Sequence, residues 1–218
     1  MTDVRWFAEV DSTNRVAAAM AAPGLVVVAD HQTAGRGRFD RRWESPPGSS
    51  LLVSVVLPVF VRHASVVVAL AAVAACDDVA GVAPDLKWPN DLIVGERKLG
   101  GILGETASGH QVVGLGLNVN WGGSSRPPSG GVALDELTGG PVDRLALLAA
   151  FLRSLAEPPE DVLDAYRRRC VTIGQFVRVE VGSEVIEGKA VGISPAGHLL
   201  LDGDRALAAG DVTHVRPV

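Results

Sequence analysis

The spacing of apolar residues along the chain predicts a mixture of strands and helices. Short apolar runs of strand length, several of them rich in valine, lie at residues 4–8, 25–29 and 50–57. Helices are expected in the longer segments, after Asn14 and at residues 64–79, 142–156 and 159–170. Residues 86–119 alternate apolar runs with turn residues, which is typical of a β-meander. Because the strands cluster, the predicted fold class is α+β, with a mixed β-sheet flanked by helices.

After residue 172 the pattern changes to short strands separated by turns. These strands are predicted at residues 176–181, 185–193, 198–201, 205–207 and 212–215. They suit a small SH3-like β-barrel, which at this size is expected to be stabilised by docking on the rest of the chain. The predicted division is a main domain of residues 1–171 and a β domain of residues 172–218. Residues 121–141, rich in glycine, proline and serine, are expected to form a surface loop.

The composition favours a cytoplasmic enzyme without a membrane partner. The 218 residues are 47% hydrophobic, which is enough for a core, and carry a formal net charge of −5. The longest apolar run, residues 64–76, is shorter than the ~20 residues that cross a bilayer, and it predicts a buried helix. The N-terminus lacks the charged and apolar regions of a signal peptide. Cys76 and Cys170 are distant and have no CxxC partner, so we expect reduced thiols.

Residues 87–105, KWPNDLIVGERKLGGILGE, combine two lysines with turns and a glycine pair. The proline, asparagine and aspartate at residues 89–91 favour a turn between two short strands. Lys98 then opens a further strand, and the glycine pair behind it leaves bare backbone, as close approach to a flat or phosphorylated ligand requires. Lys87 and Lys98 are therefore predicted to face one polar cleft. From this segment alone, the alternative is a meander with surface lysines and a glycine bulge.

A second motif, HQTAGRGRFDRRW at residues 31–43, follows the strand predicted at residues 25–29. It predicts an arginine-rich loop that leaves the end of a central strand; we call residues 33–43 the arginine loop. Guanidinium groups match phosphate oxygens, so this loop can fold over a triphosphate, and we expect it to be poorly ordered until ligand binds. A solvated basic loop or a nucleic-acid contact is the alternative, although a net charge of −5 argues against a general nucleic-acid surface.

Two further segments bring polar or small residues to the expected ends of elements. Residues 11–14, DSTN, are typical of a helix N-cap, and they also present donors and acceptors for a small polar ligand such as a ureido ring. Residues 114–120, GLGLNVN, continue a predicted strand whose glycines let the sheet surface lie against a ligand. An ordinary bulged strand is the alternative for Gly114 and Gly116. The third glycine and the strand-turn-helix context of a dinucleotide fingerprint are missing.

In chain order, DSTN, QTAGRGR with a downstream tryptophan, KWPNDL, RKLGGIL and GLGLNVN resemble the motifs of biotin protein ligases, from residue 11 to residue 120. The resemblance implies a class II synthetase-like catalytic domain, shared with lipoate ligases, and a small SH3-like β domain that assists ATP and carrier binding. It implies two steps in one site. Biotin and ATP, with Mg²⁺, give biotinyl-5′-AMP, and biotin is then transferred to a lysine of the biotin carboxyl carrier protein domain of an acyl-CoA carboxylase.

The same resemblance assigns roles to individual residues. The biotin contacts fall on Ser12, Thr13, Asn14, Gln32, Gly35, Arg36, Gly37, Arg38, Lys98, Gly101, Gly114 and Gly116. The nucleotide contacts fall on Arg38, Trp43, Lys87, Asn90 and Asn118. Lys98, Arg36 and Lys87 are the expected catalytic residues, with Lys98 first because its charge can draw the biotin carboxylate and the α-phosphate together. Asp91 is the expected Mg²⁺ ligand.

The chain resembles the monofunctional members of that family, without an N-terminal DNA-binding domain, and is not expected to bind an operator. Exposed sheet surface allows a homodimer. One alternative function is a lipoate ligase-like acyl-adenylate transferase, which GRGR and KWPNDL disfavour. Another is a non-catalytic biotin-binding regulatory protein, which the presence of Lys98, Lys87 and Arg36 disfavours. A nucleic-acid-binding module acting through the arginine loop is the most distant hypothesis.

Overall fold

Two β-sheets and five helices make up the part of the chain that the computed structural model describes, namely residues 3–39, 41–57, 61–107, 109–122, 127 and 130–214. The first sheet contains β1 (Asp3–Val10), β2 (Leu25–Gln32), β3 (Ser50–Leu57), β4 (Asp85–Lys87), β5 (Asp91–Val94), β6 (Arg97–Ala107) and β7 (His110–Asn118). The second contains β8 (Phe176–Val181), β9 (Glu184–Ile193), β10 (Leu199–Leu201), β11 (Arg205–Leu207) and β12 (Asp211–His214). The helices are α1 (Thr13–Met20), α2 (Ala64–Ala80), α3 (Leu134–Thr138), α4 (Arg144–Ala156) and α5 (Val162–Arg169).

The first sheet is mixed, and its strand order is β1-β2-β3-β7-β6-β5-β4. β1 and β2 run parallel because α1 connects them, whereas the other neighbouring strands of this sheet pair antiparallel. The strands β4 to β7 form the predicted meander. β2 pairs with β1 on one side and with β3 on the other, so it is an interior strand of the sheet, as predicted. The predicted α+β class, with a mixed sheet flanked by helices, is confirmed.

At β2 both faces of the first sheet are covered, which explains the unbroken apolar run in this strand. Leu25 and Val27 pack with Ala17 of α1. Val26 and Val28 point to the opposite face and join the core that contains α2 and α4. Successive strand residues point to opposite faces, so a strand that is buried on both sides shows no polar alternation.

The second sheet has the order β11-β10-β9-β8-β12 and is antiparallel, as expected for a small SH3-like domain. In β8, Val177 and Val179 are buried while Phe176 is exposed, the alternation of a half-buried strand. The buried residues of this sheet are continuous with the larger core. Arg167 of α5 donates hydrogen bonds of 3.0 and 2.8 Å to the carbonyl of Ile193. The small sheet therefore packs on the rest of the chain.

Most predicted elements are found, with shifts of a few residues at their ends, and two differences have clear causes. The predicted surface loop at residues 121–141 contains α3, because Leu134 is fully buried and draws this segment onto the core. Residues 123–126 and 128–129 of that loop, like residue 215 of the last predicted strand, lie outside the described residues. The last helix begins at Val162 instead of residue 159, since the side chain of Asp161 caps it by accepting from the Asp164 N–H. None of the described helices is long and apolar enough to cross a membrane.

Candidate functional site

A cavity of about 410 Å³ opens between the first sheet, the arginine loop and the start of β12. It is lined by nearly all of the predicted site residues: Ser12, Thr13, Asn14, Gln32, Arg36, Gly37, Arg38, Trp43, Lys87, Asn90, Asp91, Lys98, Gly101, Gly114, Gly116 and Asn118. These residues come from sequence motifs as much as 100 positions apart, and the sheet order explains how they meet. β2, β5, β6 and β7 each contribute one end or one face to this cavity. Gly35 lies behind the lining residues.

The start of α1 and the end of β2 form one wall. The backbone N–H and the hydroxyl of Thr13 donate to Gln32 Oε1 at 2.7 and 3.0 Å. Ser54 Oγ of β3 lies 2.8 Å from Thr13 Oγ1. Ser12 is the N-cap residue, but its side chain makes no capping hydrogen bond within the described α1. The Ser12 hydroxyl is therefore not needed to cap α1. The same segment can both begin the helix and present polar groups to the cavity.

Asn14 ties that wall to β6. Its Nδ2 donates to the carbonyl of Leu103 at 3.1 Å and to Glu105 Oε2 at 2.7 Å, and its Oδ1 accepts from Ser54 Oγ at 2.6 Å. Glu105 Oε2 also lies 2.6 Å from Arg36 Nη2. Protein atoms satisfy both ends of the Asn14 amide, so in this structure Asn14 holds the wall in place. Glu105, which links Asn14 to the arginine loop, was not among the predicted site residues.

Lys87 of β4 and Lys98 of β6 lie on either side of β5 in the meander, and both line the same cavity, as predicted. Lys98 Nζ lies 2.6 Å from Asp91 Oδ1, and it sits 5.8 Å from the centre of the Trp43 ring. The Lys98 side chain is 43% exposed and that of Asp91 26%, so this ion pair borders the cavity. A cation in this position can meet an anionic ligand that enters from the open side.

Asp91 is a single carboxylate on the nucleotide side of the predicted site. Within the described residues, no group of three or more histidine, cysteine, aspartate or glutamate side chains is arranged to hold a metal ion. Mg²⁺ is commonly held by one or two carboxylates together with substrate phosphates and waters. The donor set therefore fits a Mg²⁺ that arrives with a nucleotide, and does not fit a metal cage made by the protein alone.

The glycines of the motifs make room for walls of the cavity. A Cβ at Gly116 would lie 2.6 Å from the Trp43 ring, and a Cβ at Gly114 would lie 2.3 Å from Asn14 Oδ1. A Cβ at Gly35 would lie 2.3 Å from the carbonyl oxygen of Trp43. All three distances are shorter than carbon atoms tolerate. Bare backbone is thus needed here for Trp43 and Asn14 to take their positions.

The arginine loop folds back on itself over the cavity mouth. The Gly37 N–H donates to the carbonyl of Arg41 at 2.7 Å, and the Trp43 N–H donates to the carbonyl of Gly35 at 3.0 Å. Residue 40 lies outside the described part of the loop. Together with the pair between Arg36 and Glu105, these bonds give the loop a closed shape with its guanidinium groups beside the cavity.

Arg38 and Arg41 also reach Gly210 and Asp211, which no sequence motif predicted beside the arginine loop. Arg38 Nη1 donates to the carbonyl of Gly210 at 3.1 Å and lies 3.4 Å from Asn90 Oδ1. Arg41 forms an ion pair with Asp211. Burial lowers the pKa of Arg38, while the hydrogen bond with Asp211 raises the pKa of Arg41. Both side chains remain cationic at neutral pH, since arginine ordinarily deprotonates only above about pH 12.

Trp88, also absent from the predicted site, connects the cavity to the small sheet. It is 3% exposed, and its Nε1 donates to the carbonyl of Gly197 at 3.1 Å. Its backbone N–H donates at 3.1 Å to Thr172 Oγ1, which also lies 3.3 Å from His214 Nε2. Burial, followed by the nearby charge of Lys87, lowers the pKa of His214. No periodicity or local motif signals these contacts, because they join segments far apart in the chain.

Comparisons with known proteins agree with this geometry. A model of the biotin/lipoate A/B protein ligase family matches residues 6–121, and a model of the biotin protein ligase C-terminal domain matches residues 172–215. The biotin–acetyl-CoA-carboxylase ligase of Mycobacterium tuberculosis is 37% identical over 96% of this chain and 88% of its own length. That of Paracoccus denitrificans is 32% identical, over 90% of this chain and 92% of its own. The biotin protein ligase from Aquifex aeolicus, solved with biotin and ATP, superposes with a TM-score of 0.85 and 28% identity over 100% of both chains.

Proposed function

Because the chain belongs to the biotin/lipoate A/B protein ligase family, we propose that it activates biotin with ATP and attaches it to a lysine of a carrier protein. It is an ATP-dependent, AMP-forming ligase. The observation that carries this conclusion is the gathering of the motif residues around one cavity that has cationic side chains beside a polar wall. Biotin needs donors and acceptors for its ureido ring, and the triphosphate of ATP needs cations.

In the first step an oxygen of the biotin carboxylate attacks the α-phosphorus of ATP, and pyrophosphate leaves. Both reactants are anionic, so the reaction needs a cation that lies close to both. Lys98 is suited to this role, since its ammonium group borders the cavity and already pairs with the carboxylate of Asp91. Arg36 and Lys87 line the same cavity and add positive charge to it. These three residues are the catalytic set that we propose.

The cavity has two sides with different chemistry. The proposed biotin contacts lie mainly along α1, β2, β6 and β7, and comprise Ser12, Thr13, Asn14, Gln32, Gly35, Arg36, Gly37, Arg38, Lys98, Gly101, Gly114 and Gly116. The proposed nucleotide contacts lie toward the meander turn and the arginine loop, and comprise Arg38, Trp43, Lys87, Asn90 and Asn118. Asn118 is 3% exposed and donates to the carbonyl of Val132 at 3.1 Å. Its proposed contribution is therefore mainly to shape the nucleotide side.

Mg²⁺ is proposed as the cofactor, with Asp91 as its protein ligand. When bound, the ion offsets the negative charge of the phosphates. Asp91 can serve both the ion and Lys98, because a carboxylate has two oxygens, of which Oδ1 lies 2.6 Å from Lys98 Nζ.

In the second step the ε-amine of the acceptor lysine attacks the carbonyl carbon of the mixed anhydride. A C–N bond forms, the C–O bond to the phosphate breaks, AMP leaves, and the amine loses a proton to solvent. The chain must therefore keep a labile anhydride away from water until the carrier arrives. Residues of the arginine loop line the cavity, which supports a role for this loop in excluding water from the anhydride.

The carrier is proposed to be the biotin carboxyl carrier domain of an acyl-CoA carboxylase. Free buried thiols at Cys76 and Cys170 support a reducing, cytoplasmic setting. The formal net charge of −5 supports small-molecule and protein partners in preference to DNA.

We propose that a homodimer would form at the edge strand β1, where Val4 is 39% exposed and Trp6 is 36% exposed. Residues 1–171 and 172–218 remain our proposed domains.

Pyrophosphate release tests the proposal against its alternatives. Purified protein with ATP and Mg²⁺ is given biotin, lipoate or octanoate in separate reactions, and release is followed continuously. Biotin alone should stimulate release. Stimulation by lipoate but not biotin would favour the acyl-adenylate transferase alternative. Tight biotin binding without any release would favour a regulatory binding protein.

A further inference from the structure

The start of β12 touches the arginine loop, although the two segments are 170 residues apart in the chain. Asp211, the first residue of β12, forms the ion pair with Arg41, and the carbonyl of the preceding Gly210 accepts a 3.1 Å hydrogen bond from Arg38. Asp211 also lines the cavity. Arg38 and Arg41 of the arginine loop are thus both held by the turn of the small sheet that contains Gly210 and Asp211.

The turn that contains Gly210 and Asp211 is held in place by the small sheet. Gly210 is buried, and a Cβ there would lie 2.3 Å from Val179 Cγ1, so the backbone rests directly on the core of the small sheet. Asp211 itself is paired with Glu180 in the antiparallel ladder between β8 and β12. A side chain on a paired strand keeps its position better than one on a loop, so any opening movement must come from the arginine loop.

The charges around Arg41 favour this contact. Asp211 is its nearest partner, and Asp91 and Glu180 act on it in the same direction, while Arg38 lies close enough to Asp211 and Asp91 to be stabilised by both. The Arg41 and Asp211 side chains are 61% and 41% exposed, so salt screens their pair. The contact is strong enough to bias a loop and weak enough to be broken in each catalytic cycle.

We propose that Asp211 is a positioning residue that holds the arginine loop closed through Arg41, and that this contact sets how long the acyl-adenylate is retained. The inference rests on the proposed function, because it concerns the intermediate of that reaction. It assigns a function to the small sheet, which is to hold the arginine loop closed over the cavity. This contact between Arg41 and Asp211, which we call the latch, opens more readily at high salt, because salt screens the exposed pair.

The test compares Asp211→Asn and Arg41→Gln with the wild-type protein. Each enzyme is loaded with biotin, ATP and Mg²⁺, separated from free ligand on a short column, and followed by mass spectrometry for adenylate that leaves the protein. Both variants should lose adenylate about fivefold faster, the size of effect expected when one partly exposed ion pair is removed. The charge-exchanged double variant Arg41→Asp with Asp211→Arg should recover most of the retention. Asp78→Asn, which removes the distant exposed pair with Arg153, is the matched control and should behave as wild type.

Salt dependence separates a latch from a general structural role. Raising NaCl should speed adenylate loss from the wild-type protein and have little effect on Asp211→Asn, because the screened pair is already absent. Equal retention in the wild-type and Asp211→Asn proteins, or a double variant no better than its single parents, would overturn the inference.

Limited trypsin digestion without ligand gives a readout that does not depend on catalysis. The arginine loop should be cleaved faster in Asp211→Asn than in the wild-type and Asp78→Asn proteins. A wild-type protein that makes no adenylate but shows this difference would refute the proposed function while keeping the latch. Adenylate formation by the wild-type protein, together with identical digestion of all three proteins, would support the proposed function and refute the latch.

Discussion

At the residue scale, a few side chains decide the chemistry of the cavity, and their neighbours explain why each residue type is needed. The ammonium group of Lys98 lies beside Asp91 and the Trp43 ring, and Gly116 leaves the space that this ring occupies. The side chains of Thr13 and Gln32 fix each other across two elements. Substitution at these positions should therefore affect different steps of the reaction.

Replacing Lys98 by alanine should abolish most adenylate formation without unfolding the protein. The side chain is 43% exposed, so its loss costs little stability, but its charge is needed as negative charge accumulates at the α-phosphorus. We expect the single-turnover rate of pyrophosphate release to fall by about 10²- to 10³-fold, the range seen when a transition-state stabilising group is removed. Arg97→Ala, one residue earlier in β6, is the matched control. A Lys98→Ala protein with normal turnover would remove Lys98 from the catalytic set.

Gly116→Ala should disturb the cavity through Trp43. The new Cβ would lie 2.6 Å from the indole ring, which must then move off the sheet. We expect KM for ATP or biotin to rise about tenfold, corresponding to the lower end of the cost of overpacking. Gly140→Ala is the control, because nothing lies within 4 Å of a Cβ at that position. Unchanged KM values, with Trp43 fluorescence like that of the control, would show that the ring is not held against Gly116.

At the element scale, the sequence determines most strands and helices but only part of their arrangement. The apolar runs predict β3 and β8 with correct ends, because short-range periodicity and turn residues set these elements. The meander follows from the turns at residues 88–90 and 95–96. The sequence does not reveal α3, since its stability comes from the buried side chain of Leu134 and not from a helical pattern. The sequence predicts β2 as an interior strand but does not identify its neighbours, because burial on both faces looks the same in any covered strand.

The arginine loop should gain protection when ligand binds. In the structure it is held by a few hydrogen bonds and by exposed ion pairs, so it should open locally at low cost in the free protein. Amide hydrogen exchange of residues 33–43 should slow by at least about tenfold with biotin and ATP, while β3 exchanges slowly in both states. Equal exchange of the loop with and without ligand would contradict its role as a lid.

At the scale of the whole molecule, two sheets combine to form one cavity. The motifs along the first 120 residues predict most of its lining, and the resemblance supplies their chemistry. The contribution of Asp211, Val212 and Thr213 was not predictable, because docking of the small sheet brings them to the cavity. No local pattern encodes that docking, in which Trp88 takes part through its hydrogen bond to the carbonyl of Gly197. Tertiary contacts between distant segments are the part of the site that only the structure supplies.

Stability of the docked arrangement should fall at mildly acidic pH. Burial and Lys87 lower the pKa of His214 below its ordinary value of 6.5, and burial also lowers that of His63. Above pH 6.5 both histidines are neutral in the folded and unfolded states and contribute nothing. As pH falls through 6.5 the unfolded state takes up protons first, so folding loses free energy until the folded-state pKa is passed. Urea unfolding at pH 7.5 and 5.5 should show this loss, and His214→Gln should lose less. An equal loss in the variant would exclude His214 as a source.

The central claim, that one cavity performs both half-reactions, is tested most directly by mass spectrometry of the protein incubated with biotin, ATP and Mg²⁺, with and without a biotin carboxyl carrier domain. A carrier domain whose acceptor lysine is replaced by arginine serves as the control. We expect biotinyl-5′-AMP on the protein when carrier is absent. The adenylate should be converted to a single biotinylated lysine with the normal carrier, and it should persist with the control carrier. Absence of adenylate from the folded protein, or adenylate that never reaches the carrier lysine, would contradict it.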